Sequence, residues 1–210
     1  SRTGAWEWVS GSDNINVAPN YPTVGSGSIS NYPGGKNGAS MWFHNGFIYL
    51  FGGYGIMDNV TAHSNEFWKY EVSTQKWTWI SGGNQGSYYG IYNSSASSNH
   101  PGSRNLSAYF KYAGKFYLFG GYGYAASAGG YLNDLWEYDP STGNWSFIAG
   151  SDAVNQTGTY GTKGTASGSH IPGGRYFGPK SVSVDKNGNA YFFSSYGYAS
   201  SGGGYLNDLW

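Results

Sequence analysis

The side chains of this sequence that could do chemistry are few, and several stand alone. The four histidines are His44, His63, His100 and His170. They lack the short spacing that places two imidazoles on one metal ion. Asp185 opens a run of oxygen-bearing side chains like that of a calcium loop, but the Asn187-Gly188 pair within it predicts a turn. We therefore expect no metal site and, without a phosphate-binding glycine motif or a cysteine, no cofactor.

The remaining acidic and basic residues mostly recur at equivalent places along the chain. One carboxylate lies in each copy of an Asn-[Glu/Asp]-[Phe/Leu]-Trp motif, and these are Glu66, Asp134 and Asp208. One cation follows each of three Pro-Gly pairs, and these are Lys36, Arg104 and Arg175. Because a catalytic group generally occurs once, we expect the recurring carboxylates to anchor loops by hydrogen bonds rather than to transfer protons.

The composition excludes further classes of function. The 210 residues carry 11 Lys and Arg against 11 Asp and Glu, with no basic run, which argues against nucleic acid as a partner. No stretch approaches the roughly 18 apolar residues of a membrane helix, so we expect no membrane insertion. The 36 glycines and the 20% of aromatic residues are typical of short strands joined by tight turns. They predict an all-β protein.

The chain contains three repeats. Trp68, Trp136 and Trp210 follow one another at intervals of 68 and 74 residues, and segments 122–136 and 196–210 differ at only two of fifteen positions. Each repeat divides into four short β-type runs, which we name a, b, c and d. In the second repeat they cover residues 106–112, 115–119, 134–138 and 144–148.

Strand d carries aromatic rings on alternate residues in each copy. The pairs are Trp6 and Trp8, Trp77 and Trp79, and Trp145 and Phe147. Both rings of a pair face one side of the sheet, so that side must be buried. A single four-stranded unit cannot cover it, whereas radial stacking of copies can.

A hydrophobic strand that ends in Gly-Gly, followed by an aromatic residue and then a Trp, resembles the kelch repeat of β-propellers. The third copy departs from it with Ser194-Ser195 in place of the glycine pair. The resemblance implies a kelch-like propeller segment of three four-stranded blades with long d–a and b–c loops. The predicted units are strand d of a split blade (1–10), blade 1 (11–81), blade 2 (82–149) and strands a–c of the split third blade (150–210).

The long connections predict a contact face. The a–b and c–d turns are minimal and share one face, whereas the b–c loop over 121–133 and the d–a loop over 150–174 lie on the other. Among the loop tyrosines, four fall outside the repeated pattern and are the candidates for ligand contact: Tyr88, Tyr89, Tyr92 and Tyr160. An alternative stays open, in which these loops are filler and their rings pack against each other.

The recurring cations have two interpretations. Strand a of a propeller lines the central channel, so Lys36, Arg104 and Arg175 could ring the channel mouth and bind an anion. Alternatively, they hydrogen-bond carbonyl groups between neighbouring blades, which is the more frequent role of a repeated Arg.

Five Asn-x-Ser/Thr sequences are potential glycosylation sites in a secreted protein. Asn105 opens an inner strand and is the least suitable of the five. The predicted acceptors are Asn59, Asn93, Asn144 and Asn155.

These observations predict a non-catalytic, extracellular binding or structural propeller. Its partners would be a glycan or a cell-surface protein on the long-loop face, and a second copy of itself. The split blade suggests head-to-tail assembly, in which residues 1–10 of one copy complete the third blade of the next as a ring or a fibre. Two alternatives remain: a carbohydrate-active enzyme on the same scaffold, and a structural subunit of an extracellular filament.

Overall fold

The structure is a computed structural model, and it describes residues 4–58, 60–93, 98–178 and 181–210. The predicted glycosylation site Asn59 lies outside the described residues. Every regular element named below is a strand, and the strands are β1 (Gly27–Ser28), β2 (Lys36–Asn37), β3 (Ser40–His44), β4 (Phe47–Phe51), β5 (Tyr54–Ile56), β6 (Thr61–His63), β7 (Phe67–Glu71), β8 (Lys76–Ser81), β9 (Arg104–Asn105), β10 (Ala108–Tyr112), β11 (Lys115–Tyr124), β12 (Gly129–Asp139), β13 (Asn144–Ala149), β14 (Arg175–Phe177), β15 (Val182–Val184), β16 (Ala190–Ala199) and β17 (Gly202–Leu209). No helix in these residues is long and apolar enough to cross a membrane.

The first two blades are complete antiparallel sheets. Blade 1 has the order β3-β4-β7-β8, with β1 added beyond β8, and blade 2 has the order β10-β11-β12-β13. The a–b turns are tight because their residues adopt positive φ: Asn45 and Gly46 in blade 1, Ala113 and Gly114 in blade 2. Strands a, b, c and d are therefore confirmed in both blades.

The b–c connection differs from the predicted long loop. In blade 2, β11 and β12 remain paired beyond the part that forms the four-stranded sheet with β10 and β13. In this extension Tyr122 lies opposite Tyr131. The expected loop over 121–133 is therefore mostly a β-hairpin, which extends β11 to Tyr124 and begins β12 at Gly129. Sequence inspection missed it because its Gly, Ala and Ser residues are typical of loops, whereas its backbone pairs as a strand.

The third blade has strands a to c in the described part of the chain. Strand a is formed by β14 and β15, which pair with two different parts of β16, and β16 pairs with β17. No described strand pairs with the outer edge of β17. Residues 4–10 form no strand, and Trp6 is completely exposed.

Aromatic rings fill the junction between blades 1 and 2. Trp42 of β3 stacks on Phe116 of β11 at 5.4 Å, and Phe67 of β7 meets Tyr138 edge-on at 4.7 Å. Trp145 of β13 lies 5.2 Å from Phe51 across the same junction. The smaller junction between blades 2 and 3 includes Phe119 stacked on Phe192 at 5.0 Å. The rings of adjacent sheets thus form the core, as the alternating pattern predicts.

The glycine pair allows the next blade to come close. Gly52 and Gly120 both have positive φ, at 71° and 62°. A Cβ atom on Gly52 would lie 2.6 Å from the carbonyl oxygen of Arg104, and one on Gly120 would lie 2.8 Å from that of Arg175. The two oxygens belong to β9 and β14, the first strands of the following blades. Glycine is required here for its conformation and for the space.

Candidate functional site

The three recurring cations are paired with the three recurring carboxylates. Arg104 donates two hydrogen bonds to Asp134, at 2.6 and 2.7 Å, and both side chains are fully buried. Arg175 binds Asp208 in the same fork geometry, at 2.7 and 3.0 Å. Lys36 forms an ion pair with Glu66 in blade 1. Each blade thus joins the start of its strand a to its strand c through one buried charge pair.

A Trp and a Tyr complete each pair. In blade 2, the indole of Trp136 and the hydroxyl of Tyr92 both donate to Asp134, at 2.7 and 2.6 Å. In blade 3, Trp210 donates to Asp208 at 2.8 Å, and Tyr160 donates to the same carboxylate. We call each group of cation, carboxylate, Trp and Tyr a carboxylate cluster. The clusters tie the d–a loop to the blade that follows it.

The carboxylate cluster of blade 1 differs in its hydrogen bonds. Glu66 is one methylene longer than Asp, and it accepts a hydrogen bond from Ser64 at 3.1 Å besides its contact with Lys36. The indole nitrogen of Trp68 has no partner, and neither has the second oxygen of Glu66. Tyr21 nevertheless stacks on Trp68 at 5.9 Å, so it occupies the place of Tyr92 and Tyr160.

This arrangement revises the interpretation of two candidate ligand residues. Tyr92 and Tyr160 are not irregular, because with Tyr21 they form a set of one per blade. The sequence conceals the set, since the Tyr precedes the cation by 15 residues in copies one and three but by 12 in copy two. Burial, followed by the charge of Asp134, raises the pKa of Tyr92, so its hydroxyl remains a donor. Their contacts favour a structural role for Tyr92 and Tyr160.

The electrostatics of the third carboxylate cluster also fit a structural role. Burial opposes ionisation of Asp208, but hydrogen bonds from Arg175, Tyr160 and Trp210 outweigh it and hold the pKa of the carboxyl at about 2. A carboxylate held ionised in this way is an acceptor and a poor proton donor near neutrality. The prediction that the recurring acids act as hydrogen-bond anchors agrees with these contacts.

None of the three cations lines the cavity between the a strands. This cavity, of about 390 Å³, lies where the a strands of the three blades meet, and its walls include Gly38, Leu106, Tyr109, Phe177 and Val182. Arg104 and Arg175 instead direct their guanidinium groups to carboxylates within their own blades and also donate to the nearby carbonyls of Gly102 and Gly173. Their contacts therefore favour the structural interpretation over an anion site at the channel mouth.

The other two candidate tyrosines lie on the long-loop face. Tyr88 and Tyr89 are both partly exposed after strand β8. The backbone N–H of Tyr88 donates to Ser103 at 2.8 Å, which fixes the loop against the start of blade 2. The ring of Tyr89 meets Tyr124 edge-on at 5.6 Å. Ligand contact by this pair remains a prediction.

A larger aromatic surface lies beside them, built from the extended hairpins. In each blade three paired strands place one row of three side chains on the same face. The rows are Asn37, Tyr54 and His63 in blade 1; Asn105, Tyr122 and Tyr131 in blade 2; and Tyr176, Tyr196 and Tyr205 in blade 3. We call these nine residues the tyrosine array. None of the nine is buried.

The predicted glycosylation sites that the structure describes differ in accessibility. Asn93 and Asn155 are exposed, and Asn144 at the start of β13 is half-buried. The side-chain oxygen of Asn155 accepts a hydrogen bond from the backbone of Tyr131, at 2.9 Å. Their modification remains a prediction.

Comparison with known proteins supports the fold. Residues 112–150, which include β12 and β13, match the model of the Kelch motif. This chain carries a kelch repeat. The solved structure of YjhT is similar to the chain with a TM-score of 0.50 and 17% identity, over 80% of the chain. The chain spans 48% of the length of that protein.

The kelch match and the structural similarity agree on an all-β, propeller-type architecture, as the repeats predict. At 17% identity the similarity extends to the fold alone. A search of curated protein sequences finds no match. The function must therefore be argued from the surfaces of this chain.

Proposed function

We propose that the chain is a non-catalytic binding and structural propeller that assembles head to tail, residues 1–10 of one copy supplying strand d to the third blade of the next. The observation that carries this proposal is the contrast between matching residues in complete and incomplete blades. Phe67 of blade 1 is fully buried, whereas its counterpart Leu209 is 66% exposed. Leu209 therefore offers an apolar surface at the outer edge of β17, to which a further strand can add.

The carboxylate clusters indicate which side chain belongs at the open edge. In blade 1, Trp79 of strand d packs on Tyr21 at 4.9 Å, and in blade 2, Phe147 packs on Tyr92 at 5.1 Å. In blade 3, Tyr160 contacts Trp210 at 5.0 Å but receives no ring from a described strand d. By position in the repeat, Trp8 is the counterpart of Trp79 and Phe147, and it is 69% exposed. We infer that Trp8 of another copy covers Tyr160.

The outer faces of the two end blades support the same arrangement. Tyr191 and Phe193 of blade 3 are exposed, although their counterparts Tyr49 and Phe51 in blade 1 are buried against blade 2. On the opposite side, blade 1 exposes Met41 and Phe43. Exposed apolar side chains grouped on one face are a characteristic of interaction surfaces. Head-to-tail contact would bury one against the other.

Light scattering on the full chain tests the assembly. We expect a mass above that of the monomer, with a discrete ring or a growing fibre depending on whether the rotation closes. Replacing Trp8 by Ser should return the protein to monomers. Replacing Ile15 by Ser is the control, because Ile15 is also apolar and is even more exposed than Trp8, and this change should leave the assembly intact. A stable wild-type monomer at all concentrations would exclude donated-strand assembly.

We further propose that the long-loop face contacts a glycan or a cell-surface protein outside the cell. The support is the concentration of partly exposed tyrosines on this face, including Tyr89 and the tyrosine array. Modification at Asn93, Asn144 and Asn155 would accord with an extracellular location. Mass spectrometry of the protein secreted from a eukaryotic host tests it, and unmodified asparagines would remove this support.

A further inference from the structure

The tyrosine array forms a continuous path of rings across three blades. His63 lies 5.6 Å from Tyr122, which lies 5.1 Å from its cross-strand partner Tyr131. Tyr131 lies 5.8 Å from Tyr196, which in turn lies 5.1 Å from Tyr205. Each step joins neighbouring rings, so the path is unbroken from blade 1 to blade 3. It offers a long, narrow surface and no single deep pocket.

Packing does not account for the exposure of this path. Tyr205 is 92% exposed, and its described ring contact is with Tyr196 alone. Tyr54 and Tyr122 are also exposed, at 43% and 40%. Tyr205 lies at the open edge of blade 3, where its counterpart Tyr131 in blade 2 packs on the next blade. Tyr54 and Tyr122 lie away from that edge, and exposed rings joined in one path are a characteristic of interaction surfaces.

The chemistry of the array suits a neutral, hydroxyl-rich ligand. The nine residues include no Asp, Glu, Lys or Arg. Burial lowers the pKa of His63, so its imidazole is uncharged near neutrality, despite an opposing hydrogen bond with Asn105. Each Tyr presents an apolar face together with a hydroxyl group. The amides of Asn37 and Asn105 add a donor and an acceptor to each of two rows.

We propose that the tyrosine array binds an extended neutral glycan, with sugar rings stacked on the tyrosines and sugar hydroxyls bonded to the Asn amides. This inference rests on the proposed contact role of the long-loop face and identifies its ligand class and site. The path of rings crosses three blades, so it can contact several sugar units at once. A chain of sugars therefore fits better than a monosaccharide.

A proline-rich peptide is the competing occupant, since such peptides also bind aromatic surfaces. The Asn residues in the rows favour the glycan. An Asn carbonyl oxygen needs a donor, which a sugar hydroxyl supplies and a proline, without an N–H group, does not.

Affinity electrophoresis and calorimetry test the site. The neutral polysaccharides are xyloglucan, galactomannan and a β-1,3-glucan. Polygalacturonate is the anionic control, and a polyproline peptide is the competing ligand. We expect at least one neutral polysaccharide to bind. Tyr122→Ser and Tyr205→Ser should each weaken that binding about tenfold. Tyr122→Phe, which keeps the ring, should retain most of it.

The matched control is Tyr112→Ser. Tyr112 is as exposed as Tyr122, at 41%, but lies at the a–b turn on the opposite face, and its loss should not change affinity. Because Tyr205 is almost fully exposed, Tyr205→Ser keeps the test valid even if Tyr122→Ser unfolds.

Three results would overturn the inference: no binding of any neutral polysaccharide, binding that both array substitutions leave unchanged, or binding of polyproline alone. The second would still leave a glycan contact elsewhere on the long-loop face, and the third a peptide contact. Light scattering is measured on each variant alongside, because Tyr205 lies at the edge that the next copy is proposed to cover. A variant that assembles as the wild type does but loses glycan binding separates the glycan site from head-to-tail assembly.

Discussion

The strongest quantitative test compares two tryptophans at the same position of successive blades. Trp145 is 4% exposed and contacts Phe51 and Phe67 of blade 1 as well as Tyr138 of its own blade. An aromatic side chain of this kind buries ~250 Å², which at ~25 cal/mol/Å² gives an upper limit of ~6 kcal/mol. Substitution of a fully buried Trp by Ala typically costs ~3–5 kcal/mol, so we expect a loss in that range for Trp145→Ala.

Trp77 is the matched comparison, because it is half-buried and its described ring contacts are with Tyr70 and Trp68 of its own blade. We expect Trp77→Ala to cost only ~1–2 kcal/mol. The difference between the two variants measures what the adjacent blade contributes. Urea unfolding followed by far-UV circular dichroism, at one low protein concentration that limits assembly, measures both. A loss below ~1 kcal/mol for Trp145→Ala, or equal losses for the two, would falsify the claim that rings between blades hold the propeller together.

Three other predictions concern the charge pairs and the glycine pair. Arg104→Leu leaves Asp134 buried without its partner and should lower the free energy of unfolding by ~3–5 kcal/mol, measured in urea. Lys115→Leu removes a partly exposed pair and should change the unfolding midpoint little. Equal effects of the two substitutions would contradict the burial argument. Because the pKa of Asp208 is about 2 in the folded protein, below its ordinary value of 3.8, its ionised form stabilises the fold above about pH 4. That contribution should disappear as the pH falls towards 2, so the stability difference between wild type and Asp208→Asn should shrink over this window, and a constant difference would argue against the pair. Gly120→Ala should lower the thermal midpoint, since its Cβ would lie 2.8 Å from a carbonyl oxygen at a φ of 62°; an unchanged midpoint would show that the junction is loose.

The repeats and the alternating aromatics were sufficient to predict the blades. Strand d of blade 2 was predicted within one residue, because Trp145 and Phe147 alternate and an Asp-Pro-Ser-Thr-Gly turn precedes them. The β11–β12 extension could not be predicted, because Gly129-Gly130 has low strand propensity and the pairing depends on cross-strand contacts such as that of Tyr122 with Tyr131.

The candidate site was only partly accessible from the sequence. The recurrence of Arg104 and Asp134 was visible, but their pairing was not, since 30 residues separate them and the distance depends on how strands a and c lie in the sheet. Tyr21 was missed because the d–a loops differ in length. The tyrosine array could not be predicted as a surface, because each of its rows combines residues from three strands and the register between those strands cannot be derived from the sequence.

The glycine pair determines how closely each blade packs against the blade that follows it. Gly52 and Gly120 let the carbonyl oxygen of the following blade lie where a Cβ atom would otherwise be. The third repeat has Ser194 at this place in the sequence, and a residue with a Cβ atom rarely adopts the positive φ of the two glycines, so we expect a looser joint with any blade that follows it. A ring or fibre built from copies would then contain two tight joints and one looser joint in every three. We expect such an assembly to dissociate at the looser joint, which lies between copies. Whole chains would then exchange between assemblies while the two tight joints within each chain stay closed.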